Sequence, residues 1–363
     1  MTGTTIPAAK PLIGDEERAA VDRVLRSGMI AQGPEVAAFE REFGEQLVGG
    51  RACVAVSSGT TGLHLGLLAA GIGPGDEVIV PSFTFAATAN SVALTGATPV
   101  FADIDPDTYC LAVDSVEAAI TERTAAIMPV HLYGHPADMT ALGALATARG
   151  LQLFEDAAQA HGATWQGAPV GSFGAFGMFS LYPTKNMTSG EGGMVSCATP
   201  EIVRNVQLLR NQGMERRYEN EVVGFNSRMT DVHAAIGRVQ LGKLPAWTAQ
   251  RQANAAFLSE NLEGVGVPHV AEGATHVWHQ YTIRVPQDRD GFAKALLEEH
   301  GVGSGVYYPI PNHQLPSFGL EFDLPVTREA CEQVLSLPVH PALTPDDLER
   351  VVAGVNAVAK AGA

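Results

Sequence analysis

Between residues 52 and 155 short apolar runs alternate with helical patterns, and this rhythm restricts the fold more than any other feature. Strands are predicted at 52–56, 77–80, 98–102, 125–130 and 151–155, with helices at 60–70, 86–94, 113–120 and 139–149 between them. Strands without polar alternation are buried on both faces, and helical crossovers between them make neighbours parallel. The expectation is an α/β fold with a mostly parallel sheet covered by helices on both sides. Ligands of such sheets bind beyond the carboxyl ends of the strands. Ser58, Phe85 and Asp156 each follow a strand end, so they are predicted to converge on one pocket.

The flanking segments suggest further organisation. Residues 1–12 read as an extended arm, followed by helices at 15–26 and 34–47. A helix at 230–241 leads through Pro245 into a longer one at 247–262. After Gly264 the pattern changes to strands at 278–285 and 305–308 and helices at 292–300, 328–335 and 345–359. The prediction is an arm (1–12), a large domain (13–245) and a smaller α+β domain (246–363). A length of 363 residues with 46% hydrophobic content suits two domains.

The net charge of −16 disfavours nucleic acids and anionic membranes as partners. An anionic substrate would need local positive charge against that field. Four scattered cysteines without a CxxC pair point away from a disulfide framework or a metal site. The N-terminus lacks an apolar signal region, and no run of about 18 apolar residues occurs. These features predict a soluble cytoplasmic protein.

The residues that could carry chemistry stand at strand ends. Lys185 lies between an apolar run (173–179) and the glycine-rich stretch Ser189-Gly190-Glu191-Gly192-Gly193. Such a setting argues for a depressed pKa and a nucleophilic amine, with a snorkelling or salt-bridged lysine as the alternative. Asp156 ends an apolar run, where an unpaired carboxylate is costly and needs a cation. It could also cap the helix that follows. A strand-end acid with a strand-end lysine is the layout of a pyridoxal phosphate enzyme, in which the lysine forms a Schiff base and the acid pairs with the ring nitrogen. Ser57-Ser58-Gly59-Thr60-Thr61-Gly62 follows a strand and opens a helix. It is either a phosphate cradle or simply a cap. Ser180 could reach the same phosphate. Phe85 could stack on a cofactor ring or belong to the core, and His131 reads as structural.

Taken in order, Ser57–Thr61, Pro81–Thr88, Glu155–Gly162, Phe179–Gly193 and Gly224–Ala235 resemble the DegT/DnrJ/EryC1/StrS family of pyridoxal-phosphate-dependent sugar aminotransferases. The resemblance runs from about Pro11 to His340. It implies fold type I, with Lys185 as the Schiff-base lysine and Asp156 as partner of the pyridine nitrogen. Gln159 would contact the 3-hydroxyl and Phe85 the ring. Gly59, Thr60 and Ser180 would hold the phosphate. Asn226 would reach the cofactor of a neighbouring subunit, making a homodimer with shared active sites. Arg217, Tyr218, Arg228, Tyr308 and His313 are the candidates for substrate contact. Tyr307 and Asn312 stand where the family more often has His and Leu. The implied reaction moves an amino group from a donor such as glutamate, through pyridoxamine phosphate, onto a nucleotide-linked 3-keto or 4-keto sugar. Family dehydratases replace the lysine with histidine, so Lys185 favours transamination. A cyclitol aminotransferase, a sugar dehydratase and a non-catalytic cofactor-binding regulator are the rival readings.

Overall fold

The computed structural model describes residues 5–362. The chain opens with α1 (Asp15–Ser27) and α2 (Pro34–Leu47). The alternation then follows as β1 (Ala52–Val56), α3 (Gly59–Ala69), β2 (Glu77–Pro81), α4 (Ala87–Leu94), β3 (Thr98–Ala102), α5 (Val113–Ala119), β4 (Thr124–Ile127), α6 (Met139–Arg149) and β5 (Gln152–Asp156). A small hairpin, β6 (Thr164–Trp165) and β7 (Ala168–Pro169), precedes two strands buried along their whole length, β8 (Phe176–Ser180) and β9 (Gly193–Cys197). Next comes α7 (Pro200–Arg210), which the sequence reading did not single out. Its start is nevertheless signalled by Pro200 at the first position and by Thr199, whose side chain accepts from the Ile202 N–H.

Seven strands form one sheet in the order β1-β9-β8-β5-β4-β2-β3. Strand β9 is antiparallel to both neighbours, and every other pairing is parallel. All strands except β9 therefore end at one edge, where β9 begins. Strand side chains alternate between faces. Val54 and Val56 join the layer of α3 and α7, with Leu63, Leu67 and Val206. Cys53 and Ala55 join the opposite layer of α2, with Phe39 and Phe43. Burial on both faces explains the continuous apolar runs.

A two-stranded hairpin, β10 (Met214–Arg216) and β11 (Glu219–Asn220), leads to α8 (Asp231–Asn261). The expected pair of helices meeting at Pro245 is one continuous helix of 31 residues. Proline removes one backbone donor, but packing against α1 and α2 holds the first half in line. The helix thus crosses the expected boundary at 245/246 without a break. The C-terminal part contains β12 (Ala274–Thr275), β13 (Tyr281–Arg284), α9 (Arg289–His300), α10 (Pro325–Gln333), β14 (Val334–Leu337) and α11 (Pro345–Gly362). Here the sequence expectation needs correction. The strand expected at 305–308 is only an isolated bridge from Gly305 to Ser336. Val334 and Leu335, expected at a helix end, belong to β14, where pairing with β13 buries all four residues. Of the expected arm, residues 1–4 lie outside the described residues, whereas Ile6 is buried and bridges Val302. Among the described residues no helix is long and apolar enough to cross a membrane.

Candidate active site

The carboxyl edge of the sheet opens into a cavity of about 370 Å³. Gly59, Thr60, Phe85 and Asp156 line it, together with Gln159, Ser180, Lys185 and Tyr308. They arrive from the ends of β2, β5 and β8, from the start of α3, and from the C-terminal part.

Alternation along β5 sends its two adjacent acids to opposite faces. Glu155 turns into a closed structural site. Its carboxylate accepts from Gly171 N at 2.6 Å, Phe173 N at 2.7 Å and Gly174 N at 2.8 Å. His131 Nδ1 accepts from Ala137 N, so the proton sits on Nε2, 3.1 Å from Glu155. Asp156 shares a face with Phe154 and turns toward the cavity. Thr88 Oγ1 donates to its Oδ2 at 2.8 Å, and Ala158 N donates to its Oδ1 at 3.1 Å. Burial pushes this carboxyl up; the two hydrogen bonds and then Lys185 oppose the shift.

Lys185 sits in the loop joining β8 to β9. Leu181 N donates to Gly192 O at 2.9 Å and Ser189 N to Leu181 O at 3.0 Å, which closes the loop's base. Asn186 Nδ2, next in sequence, donates to Val277 O at 2.8 Å. Desolvation pulls the Lys185 ammonium down to about 8, and Asp156 works against that fall. The neutral, nucleophilic amine is therefore far more populated near neutral pH than in an ordinary lysine.

The turn that opens α3 lies beside it. Ser58 caps α3 by accepting from Thr61 N at 3.1 Å, and Gly59 and Thr60, whose N–H groups have no partner within the helix, line the cavity. A Cβ on Gly59 would lie 3.0 Å from Ser180 Cβ, and one on Gly193 would lie 2.5 Å from Ser58 O. Both glycines permit close backbone approach. Gln159 Oε1 accepts from Tyr133 N at 2.7 Å, and its Nε2 donates to Tyr308 OH at 3.1 Å. The amide is thereby oriented with its donor end toward the cavity.

Residues 11–356 match the DegT/DnrJ/EryC1/StrS aminotransferase family. The chain belongs to this family. It is 43% identical over 342 residues to the UDP-N-acetyl-3-dehydro-α-D-glucosamine 3-aminotransferase of Acidithiobacillus ferrooxidans, covering 93% of this chain and 92% of that one. It is 42% identical over 358 residues to the dTDP-3-amino-3,4,6-trideoxy-α-D-glucose transaminase of Streptomyces venezuelae, covering 96% and 94%. The crystal structure of S. venezuelae DesV in complex with a ketimine intermediate superposes with a TM-score of 0.92 at 41% identity, covering 98% of this chain and 99% of that one. The protein is an aminotransferase.

Not every expected residue of this aminotransferase reaches its own cavity. His313 is buried elsewhere: its Nδ1 lies 2.7 Å from Ser82 Oγ, and its ring packs near Phe101 and Phe322. With Asn312, which donates to Thr84 O at 3.0 Å, it braces the loop after β2. Asn226 is exposed and bridges Asn211 through the backbone. Arg217 and Tyr218 lie exposed in the β10–β11 hairpin, with the guanidinium 4.9 Å from the tyrosine ring centroid. Arg228 donates to Asn211 Oδ1 at 2.8 Å. None of these four lines the cavity of its own chain. Conversely, Thr84, Glu191, His279 and Tyr307 line it without having been singled out as site residues. The spacing of Thr84 and Thr88, one helical turn apart beside Phe85, was the readable signal for that side. His279 had none, because it enters from the C-terminal part.

Proposed function

We propose that this aminotransferase uses pyridoxal phosphate to convert a nucleotide-linked 3-keto sugar to a 3-amino sugar, with glutamate as donor. The carrying observation is that Lys185, lowered to about 8, and buried Asp156 line one cavity, with no basic side chain in ion-pair contact with Asp156 among the described residues. When bound, the cofactor supplies an electrophilic carbonyl carbon and an electron-accepting ring. The residues fit it. Lys185 would hold the carbonyl carbon and, when free, would serve as the base and acid that moves the substrate proton. Asp156 would hold the protonated ring nitrogen. The first turn of α3 and Ser180 would take its phosphate, Gln159 would meet its 3-hydroxyl, and Phe85 would pack against its ring. The names of the two curated relatives, both concerned with a 3-amino group, support the choice of carbon.

A second copy completes the site in this reading. Lys185 is the one lysine or arginine lining the cavity among the described residues, whereas a nucleotide sugar brings two phosphates. Asn226, Arg217, Tyr218 and Arg228 lie outside it on a segment that exposes Tyr218 (80%) and Val223 (91%). Docked on a partner, that segment would supply both apolar contact and positive charge. All four cysteines are buried free thiols, which suits work in the cytoplasm.

Lys185→Ala tests the chemistry: it should bind pyridoxamine phosphate yet not turn over, and near wild-type turnover would refute the assignment. Mixing Lys185→Ala with Asn226→Ala chains tests sharing. Random pairing should restore about a quarter of the wild-type activity, because each mixed dimer rebuilds one intact site. No recovery despite confirmed exchange would refute it. That Lys185 is the one lysine or arginine in the lining among the described residues also suits a second reading, an uncharged cyclitol ketone. A panel of 3-keto and 4-keto nucleotide sugars against inososes separates the two.

A further inference from the structure

We propose that Thr88, primed by Thr84, is the positioning residue that keeps Asp156 anionic and aimed at the cofactor's ring nitrogen. The inference rests on the pyridoxal phosphate reading and adds two residues to it. Thr88 is buried within the first turn of α4, and Thr84 is buried in the loop before it. Thr88 Oγ1 donates to Asp156 Oδ2 at 2.8 Å and lies 3.2 Å from Thr84 Oγ1. A hydroxyl has one proton. The Thr88 proton is committed to Asp156, so Thr84 must donate to Thr88. The hydrogen bonds therefore run in one direction, Thr84 to Thr88 to Asp156.

That polarity favours a carboxylate over a carboxylic acid. A proton on Oδ2 would force the Thr88 hydroxyl to turn and accept, which gives up its charge-assisted bond to the carboxylate. Oδ1 is held by Ala158 N, so each carboxylate oxygen has one protein donor and keeps lone-pair capacity for a ligand. Other titratable groups acting on Asp156 are Lys185 and His131, and Tyr308 feels its charge. None of them donates a hydrogen bond to it. The relay is itself anchored. Asn312 N donates to Ser82 O at 2.9 Å and Asn312 Nδ2 to Thr84 O at 3.0 Å, fixing the loop that carries Thr84. Ser91 Oγ donates to Thr88 O at 2.8 Å, within the same helix. Chemically directed donors of this kind matter most in a buried site, where an ion can draw on little else.

The test compares the affinity of the full-length apoprotein for pyridoxamine phosphate with that for its analogue carrying C–H in place of the ring nitrogen. Thr88→Val keeps the shape and deletes the donor. It should weaken pyridoxamine phosphate about 10- to 150-fold, the scale of one hydrogen bond to a charged group, and leave the analogue's affinity unchanged. Thr88→Ser should restore binding, and Thr84→Val should give a smaller, equally selective loss. In turnover, kcat should fall in Thr88→Val with the donor KM nearly constant. Equal losses for cofactor and analogue would reduce Thr88 to a packing role and overturn the proposal, as would no loss at all. Should Thr88→Val fail to fold, Thr84→Val decides by the same selectivity. If wild-type apoprotein does not bind pyridoxamine phosphate, the cofactor reading itself falls. That outcome is distinct from a wild type that binds while the variants show no selectivity.

Discussion

Lys185 offers a prediction whose size follows from the structure. Burial lowers its ammonium from the ordinary 10.5 to about 8. At 1.36 kcal/mol per unit that is about 3 kcal/mol against the charged form. At pH 7 roughly one amine in ten is then neutral, against about one in 3,000 for an ordinary lysine, a gain of ~300-fold in reactive base. Mixing apoprotein with pyridoxal phosphate in a stopped-flow spectrometer reads this directly. The observed rate of imine formation should rise about tenfold per pH unit below 8 and flatten above it. Asp156 holds the proton on, so Asp156→Asn should move the break to lower pH. A break near 10.5 in the wild type would refute the reasoning, and so would an upward move in the variant. Linkage gives a second readout. The folded pKa lies below the unfolded one, so between about 8 and 10.5 the unfolded chain binds more protons and stability rises with pH. Relative to Lys185→Met, wild-type apoprotein should gain up to about 3 kcal/mol across that window, with a constant deficit below it.

Two further substitutions probe the frame of the site. Gly59→Ala places a methyl 3.0 Å from Ser180 Cβ and 3.3 Å from Met178 Sδ. It should weaken pyridoxamine phosphate about tenfold, read by fluorescence titration, while the thermal midpoint moves by only a few degrees. Glu155→Gln turns one acceptor oxygen into a donor facing N–H groups of the 171–174 loop or His131. Stability should fall by about 2–4 kcal/mol in urea at pH 7. A change under 1 kcal/mol would show that the loop finds other acceptors.

Much of the sheet was legible because burial on both faces leaves a local trace. Continuous apolar runs such as Ala52–Val56 can be read without knowing what covers them. Helix starts carry equally local signals, as at Ser58 and Thr199. Pro245 misled for the opposite reason. A proline weakens a helix locally, but α8 runs on through it, with its first half anchored by partners more than 190 residues away, such as Glu35 and Glu42 on Arg238. Val334 and Leu335 failed similarly, since four residues choose strand over helix only when β13 offers a partner.

For the site, the amino-acid order by itself determined which residues could carry chemistry: a lysine and an acid at strand ends, with a small-residue turn before a helix. Period-two alternation also required Glu155 and Asp156 to face opposite ways. Only the tertiary structure decided that Glu155 is enclosed by the 171–174 loop while Asp156 meets Thr88 and the cavity. It decided too that His313 supports Ser82 rather than the cavity, and that His279 reaches the cavity from the C-terminal part. A hydrogen-bond partner 68 positions away, as Thr88 is from Asp156, leaves no periodicity in the chain. Propensity and pattern are local, whereas the partner that sets a buried group's charge is chosen by how the layers close.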